Sequence, residues 1–183
     1  SRNWLQTDRN LSGEQGEQVV LLGFETWCYF DDLLAPENNY LIPDNVQLVP
    51  DEVVARRTSP TNISLSMMTL VGAADLGFTT PASALNRLAL ITASLEKLET
   101  FRGHYLNWYS TERLAPLYPR YVSTVDSGNL VAHFIALKVA IKQLLDAPII
   151  SKSHLEHLNR LIAITKREIG NDEGQLKILS NVI

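Results

Sequence analysis

Apolar residues recur three or four positions apart along most of this chain, and segments rich in proline, glycine and polar residues separate the runs. Between about Glu14 and Leu34, the residues Val20, Phe24, Trp27, Phe30 or Asp31, and Leu34 share one helical face. This predicts a first helix ended by Pro36. From Glu37 to Arg57 the periodicity lapses and Pro43 and Pro50 intervene, which reads as a long extended connection. Connections of that length in a compact domain usually bind or cover something. Ser59-Pro60 then has the chemistry of a helix start, a hydroxyl to accept from an unpaired amide and a proline in the first turn. That helix should run to about Leu76, with Ser64, Ser66, Gly72, Ala73 and Ala74 small enough to let a neighbour approach. Gly77-Phe78 fits an ending with glycine in the left-handed conformation.

Thr80-Pro81 repeats the starting device, and Ala84, Leu88, Ile91, Leu95 and Leu98 form the next buried stripe. The short connection implies an antiparallel pair. After Phe101 comes Gly-His-Tyr-Leu-Asn-Trp-Tyr, and then Pro116 and Pro119 exclude a long helix up to the polar stretch Arg120–Leu130. A further helix carries Leu130, Phe134, Leu137, Ile141 and Leu144 and ends near Pro148. Ser153 and Glu156 match a capping box for a helix bearing Leu155, Leu158, Ile162 and Ile169. Gly170-Asn171 breaks it, and a last helix begins near Asp172. The expectation is all-α: six helices in antiparallel hairpins, no convincing strand, and residues 1–183 as a single helical domain.

Composition narrows the function classes. A chain of 183 residues can bury its own core, and 45% apolar with 20% charged residues is ordinary for a globular protein. The net charge of -4, with dispersed Lys and Arg, argues against nucleic acid as a partner. No run approaches the roughly 18 consecutive apolar residues of a membrane span, and no leader pattern is present. Ser1 in place of Met, and an apolar-rich stretch up to Ile183, fit a piece of something larger. Cys28 is the single cysteine and, between Trp27 and Tyr29, reads as a buried structural thiol. His104 has no partner at metal-ligand spacing, His154 and His157 read as surface residues, and His133 as a hydrogen-bonded core residue. No phosphate loop, dinucleotide fingerprint, nucleophile elbow or His-Glu-x-x-His occurs, so neither cofactor nor metal is expected.

Three polar and aromatic loops, Arg56–Asn62, Arg102–Tyr109 and Arg120–Leu130, lead into or join helices and suggest a common face. Asp126 fits two roles, a cap on a helix beginning near Ser127 or a carboxylate for sugar binding or acid-base work; the cap is the commoner use. Asn129 and Asn62 each lie about one turn into a helix, where a buried amide needs a partner from the loops or from a ligand. Trp108, between Asn107 and Tyr109, offers a flat apolar surface beside hydrogen-bonding groups, as a sugar requires, or simply core packing beneath the loop. Arg56, Arg57 and Arg120 could hold sugar hydroxyls or a carboxylate, or pair with Asp44, Asp51 or Glu52. Glycoside chemistry commonly uses two carboxylates. Asp126 is a weak candidate, with Glu112 next, so no complete active site is visible.

The motifs Thr26-Trp27-x-Tyr29-Phe30-x-Asp32, Pro43-Asp44-Asn45, Arg57-Thr58-Ser59-Pro60-Thr61-Asn62-Ile63, Arg102-Gly103-His104-Tyr105-x-Asn107-Trp108-Tyr109 and Pro119–Leu130 closely resemble a region of the cyclic β-1,2-glucan synthases. These are large bacterial inner-membrane enzymes that combine a glycosyltransferase, a glucoamylase-like helical domain and a phosphorylase-like domain. The resemblance covers about residues 20–147. It implies part of an (α/α)6 toroid, from a domain associated with closing linear β-1,2-glucan into a ring. It also implies sugar-binding roles for Arg57, Asn62, Asn107, Trp108, Tyr109, Arg120, Asp126 and Asn129, with the catalytic acid and base elsewhere. Arg56 stands where that family is expected to have histidine. The implied partners are β-1,2-glucan and other domains of the same polypeptide. The implied setting is the cytoplasmic side of the inner membrane, with no membrane contact by this segment. A contrasting expectation is a non-catalytic helical scaffold or domain-docking module. A half toroid would expose an apolar edge, open to a neighbouring domain or a second copy.

Overall fold

The first apolar stripe folds as α1 (Gly13–Leu33), ending ahead of Pro36 as predicted, in a computed structural model that describes residues 13–169. Pro36–Asn38 then makes a single 3-10 turn. The buried side chain of Asn38 ties this turn to two distant loops. Its amide donates to the Leu33 carbonyl at 3.0 Å, while its oxygen accepts from Arg56 at 3.0 Å and from the Thr111 hydroxyl at 3.1 Å. The connection after it is a strap whose Leu41 and Ile42 enter the core. It therefore covers something, as its length suggests. It also contains β1 (Val46–Gln47) and β2 (Val53–Val54), paired antiparallel, before β3 (Arg57–Thr58).

Helix α2 (Pro60–Asp75) starts as expected: Ser59 is extended, and its hydroxyl accepts from the Asn62 amide at 3.2 Å. Thr80 does the same for Ser83 at the head of α3 (Pro81–Leu95). The stripe Ala84, Leu88, Ile91, Leu95 and Leu98 is buried throughout. Helix α2 is the centre of the molecule, packing on α1, α3 and the later α4 (Thr124–Asp146). Its small residues make that possible. Ser64, Ser66, Ala73 and Ala74 are buried, and both hydroxyls turn back to carbonyls of their own helix. Gly77 follows with φ 79°, the left-handed ending predicted.

Six helices and no strand are expected from the sequence; five α-helices lie among the described residues, and the one beginning near Asp172 falls outside them. The strands are a correction. Besides the strap hairpin, β4 (Thr100–Phe101) pairs with β5 (His104–Tyr105), and β6 (Tyr109–Ser110) pairs with β3. Two-residue strands carry no alternation to read. Helix α5 (Lys152–Ile169) also differs from expectation. Ser153 lies inside the helix; Ser151, just ahead of it, pairs with Nδ1 of His154 in place of a Ser153–Glu156 box. Leu155, Leu158 and Ile162 face outward. His157 points inward, its ring stacked on Phe24 and Phe78 at 4.6 and 4.7 Å, rather than lying at the surface. Burial, then Arg160 and His154, push its pKa below the usual imidazole value.

Helix α4 buries Leu130, Leu137 and Leu144 but leaves Val131, Ile135 and Val139 more than half exposed. By length and composition alone it could cross a membrane, which its sequence pattern did not single out. Its Leu137 and Leu144 are instead spent in the core built around α2.

Gly77 is also where the first turn of α5 touches the α2–α3 connection. A β-carbon there would fall inside van der Waals contact of the Ser153 carbonyl and the His154 amide, both backbone atoms. Gly77→Ala should therefore cost at least about 1–2 kcal/mol, the left-handed strain alone, measured by urea denaturation. An unchanged midpoint would refute this packing.

Candidate functional site

A strand pair and a backbone hydrogen bond bring the polar loops together. Strand β3 lies antiparallel to β6, with Arg57 opposite Ser110 and Thr58 opposite Tyr109. The Asn107 amide donates to the Tyr121 carbonyl at 2.8 Å, tying in the stretch that leads to α4. The Arg56–Asn62, Arg102–Tyr109 and Arg120–Leu130 loops therefore meet where α2 and α4 begin.

Asp126 occupies the junction, although not as the cap. Ser123 caps α4, accepting from the Asp126 amide at 3.1 Å, so the helix begins at Thr124 and Asp126 lies in its first turn. The Asp126 side chain is thereby released to reach α2. Burial raises the pKa of its carboxyl, but hydrogen bonds from the Ser123 hydroxyl, the Thr61 hydroxyl and amide, and the Ser59 hydroxyl outweigh this and hold it below the ordinary 3.8. With the Asn107 amide oriented to match its neighbours, its nitrogen also donates to Asp126 at 3.1 Å. The same orientation lets the Asn107 oxygen accept from the Trp108 indole and, at 2.8 Å, from the Tyr121 hydroxyl. One carboxylate thus serves the positive ends of two helices and fixes the loop carrying Trp108.

Asn129 donates to the Thr61 hydroxyl at 3.1 Å, so its partner is a protein group. A second carboxylate, Asp44, closes the cluster from the strap. Arg57 donates to it twice, at 2.9 and 3.1 Å, and Asn62 once, at 3.2 Å. The Arg57 guanidinium in turn lies over the Trp108 ring, 4.7 Å from its centroid. Six of the eight predicted residues, Arg57, Asn62, Asn107, Trp108, Asp126 and Asn129, therefore share one network.

The other two stand apart. Tyr109 is fully buried; its hydroxyl donates to the Glu99 carbonyl at 2.7 Å and accepts from the Leu106 amide at 2.6 Å. Burial pushes its pKa up to about 12. In this chain Tyr109 is a core residue without a free polar group to offer. Arg120 is exposed and paired with the Glu99 carboxylate, beside Tyr109 rather than Trp108. Arg56 and Glu112 pair with each other at 3.5 Å near Asn38.

Sequence reasoning placed Asp44 only as an ion-pair partner, and passed over Thr61, Ser59 and Tyr121 as contributors. The available signal was Pro43-Asp44-Asn45, one of the motifs carrying the resemblance. His133 bonds Ser64 at 2.8 Å, as a helix-packing residue should. Cys28 is half-buried, and burial together with Asp32 and Asp31 pushes its thiol up, opposite to an activated nucleophile. Among the described residues no three His, Cys, Asp or Glu side chains gather as a metal site. Two hollows, one between α1 and α5 and one along α3 and α4, include none of the eight residues in their linings.

In fold the chain is glucoamylase-like. A candidate glucoamylase from Bacteroides fragilis NCTC 9343 matches it with a TM-score of 0.55 over 76% of this chain and 37% of that one, at 19% identity. Helix hairpins with that likeness are consistent with an α/α toroid-like fold. In sequence, the chain is 34% identical over 177 residues to cyclic beta-(1,2)-glucan synthase NdvB of Rhizobium meliloti (strain 1021). The alignment takes in 94% of this chain, well beyond residues 20–147, and spans 6% of that protein's length. No protein-family model matches the chain.

Asp126→Asn should lower stability at pH 7 by roughly 0.5–1 kcal/mol, the net worth of a hydrogen bond in a partly exposed, solvent-screened place. A depressed carboxylate pKa contributes stability that is present above the unfolded-state value and disappears as pH falls through the folded one. The gap between wild type and variant should therefore close in acid, below the ordinary 3.8. Urea denaturation series at several pH values check this; a gap independent of pH would contradict it.

Proposed function

We propose that the chain is a segment of a cyclic β-1,2-glucan synthase, and that its loop cluster contributes part of the glucan-binding surface of a glycan-processing, transglycosylating domain. The carrying observation is the 34% identity to the NdvB synthase across nearly the whole chain. The Trp108 cluster supports the carbohydrate part. The Arg57 guanidinium lies over the Trp108 indole, a flat apolar surface beside a directed donor, which is the mixture that a sugar ring needs. In this reading residues 1–183 are one helical domain's worth of a larger glucoamylase-like domain. Linear β-1,2-glucan and other domains of the same polypeptide are its partners. It sits on the cytoplasmic side of a bacterial inner membrane as a soluble part of a membrane enzyme. Asp126 organises the surface, and the reacting acid and base come from elsewhere.

A second reading, a scaffold or domain-docking module, is favoured by two observations. Tyr109 and Asp126 are satisfied within the protein, and α4 presents Val131, Ile135 and Val139 outward. That ridge is suited to a neighbouring domain or a second copy.

Titration with linear β-1,2-glucans under tryptophan fluorescence separates the two. The binding reading expects a saturable change that is lost in Trp108→Phe; a flat titration in wild type would leave the scaffold reading standing.

A further inference from the structure

Asp44 sits in the strap, outside the three polar loops, and holds the arginine that lies over Trp108. Its two oxygens are used differently. Oδ2 accepts from both Nε and Nη2 of Arg57, at 3.1 and 2.9 Å, and from Asn45 at 3.1 Å; Oδ1 accepts from Asn62 at 3.2 Å. The carboxylate is only about one-fifth exposed, whereas the arginine it holds is about half exposed. Two bonds to one oxygen fix the plane of the guanidinium better than a single contact would. The guanidinium lies over the Trp108 ring, 4.7 Å from its centroid, while the indole edge is tied to Asn107. Trp108 is thus held at its edge and covered on one side. Among the described residues nothing accepts from Nη1 of Arg57, which leaves two N–H donors beside the ring.

We propose that Asp44 is a positioning residue for carbohydrate: by locking Arg57 across one face of Trp108, it makes the indole a one-faced platform for a single sugar ring, with guanidinium donors at its border. Asp44 itself contacts no sugar. Removing its charge frees Arg57, lets the indole reorient and exposes both faces, so a ring stacks in no fixed register. The inference rests on the carbohydrate reading above and adds Asp44 to it.

The test uses this chain, linear β-1,2-gluco-oligosaccharides and the indole N–H resonances in nitrogen-15 NMR spectra, with that of Trp108 assigned by its loss in Trp108→Phe. In sugar-free Asp44→Asn the Trp108 resonance should move while that of Trp27, in the core, stays. Affinity should fall about five- to tenfold, the loss of an aligned cation–π pair and its anchoring bonds. Asp44→Glu, which keeps the charge, should recover much of both effects, whereas a merely structural loss would not be rescued. Arg57→Gln should reproduce the affinity loss with Asp44 intact. Wild-type binding with equal affinity in Asp44→Asn, or an unmoved Trp108 resonance, would overturn the positioning role. Absence of binding by wild type would overturn the carbohydrate reading and this inference with it. A moved Trp108 resonance in that case would still distinguish the failure from an error in the Asp44–Arg57–Trp108 geometry.

Discussion

The carboxylate of Asp126 stands at the beginnings of two helices at once, and much of the molecule's polar end depends on that placement. The first turn of an α-helix leaves amides without partners and carries partial positive charge. Ser59 and Ser123 each satisfy an amide of their own helix. Asp126, in the first turn of α4, is close enough to the hydroxyls of Ser123, Thr61 and Ser59 and to the Thr61 amide of α2 for them to favour its ionised form. The cost of burying a charge is offset by donors already fixed by the helices. The result joins α2 and α4 at one end, while Leu137 and Leu144 join them along their length. Asn107 then hangs the Trp108 loop on the same carboxylate.

This arrangement separates residues that organise a surface from residues free to use it. Asp126, Asn107, Asn129 and Tyr109 spend their polar atoms on protein partners. Trp108 and Arg57, partly accessible and held by that inner layer, are what the surface has to offer a ligand. Preorganisation of this kind suits uncharged, strongly hydrated ligands such as sugars, because little side-chain freedom remains to be lost on binding. It also explains how binding and scaffold readings can draw on the same motifs. The residues that shape the loops outnumber those that would touch a glucan.

Local chemistry was legible in the sequence where one short signal decided the outcome. Ser59-Pro60, Thr80-Pro81 and Gly77 set their helix ends, and the stripe from Ala84 to Leu98 went into the core. The convergence of the three loops was legible too, from their shared composition. Choices between equivalent local options were not. Ser123 and Asp126 can both cap a helix, and the decision came from Ser59 and Thr61 across the interface. Tyr109 and Trp108 are adjacent and both aromatic, but strand pairing of Thr58 with Tyr109 sends Tyr109 inward. Leu155, Leu158 and Ile162 formed a clean stripe, yet periodicity defines a face without saying what covers it. His157 took the inward place because Phe24 and Phe78 offered rings to stack on.

The dependence of the loop cluster on one ionised carboxylate is open to direct measurement. Carbon-13 NMR can follow the Asp126 carboxyl through an acid titration while the Trp108 indole N–H is observed in the same samples. The account predicts a midpoint below the ordinary 3.8, with the indole resonance moving at that midpoint as Asn107 loses its anionic partner. A midpoint at or above 3.8, or an indole that ignores the titration, would contradict the claim that Asp126 holds the two helix starts and the Trp108 loop together.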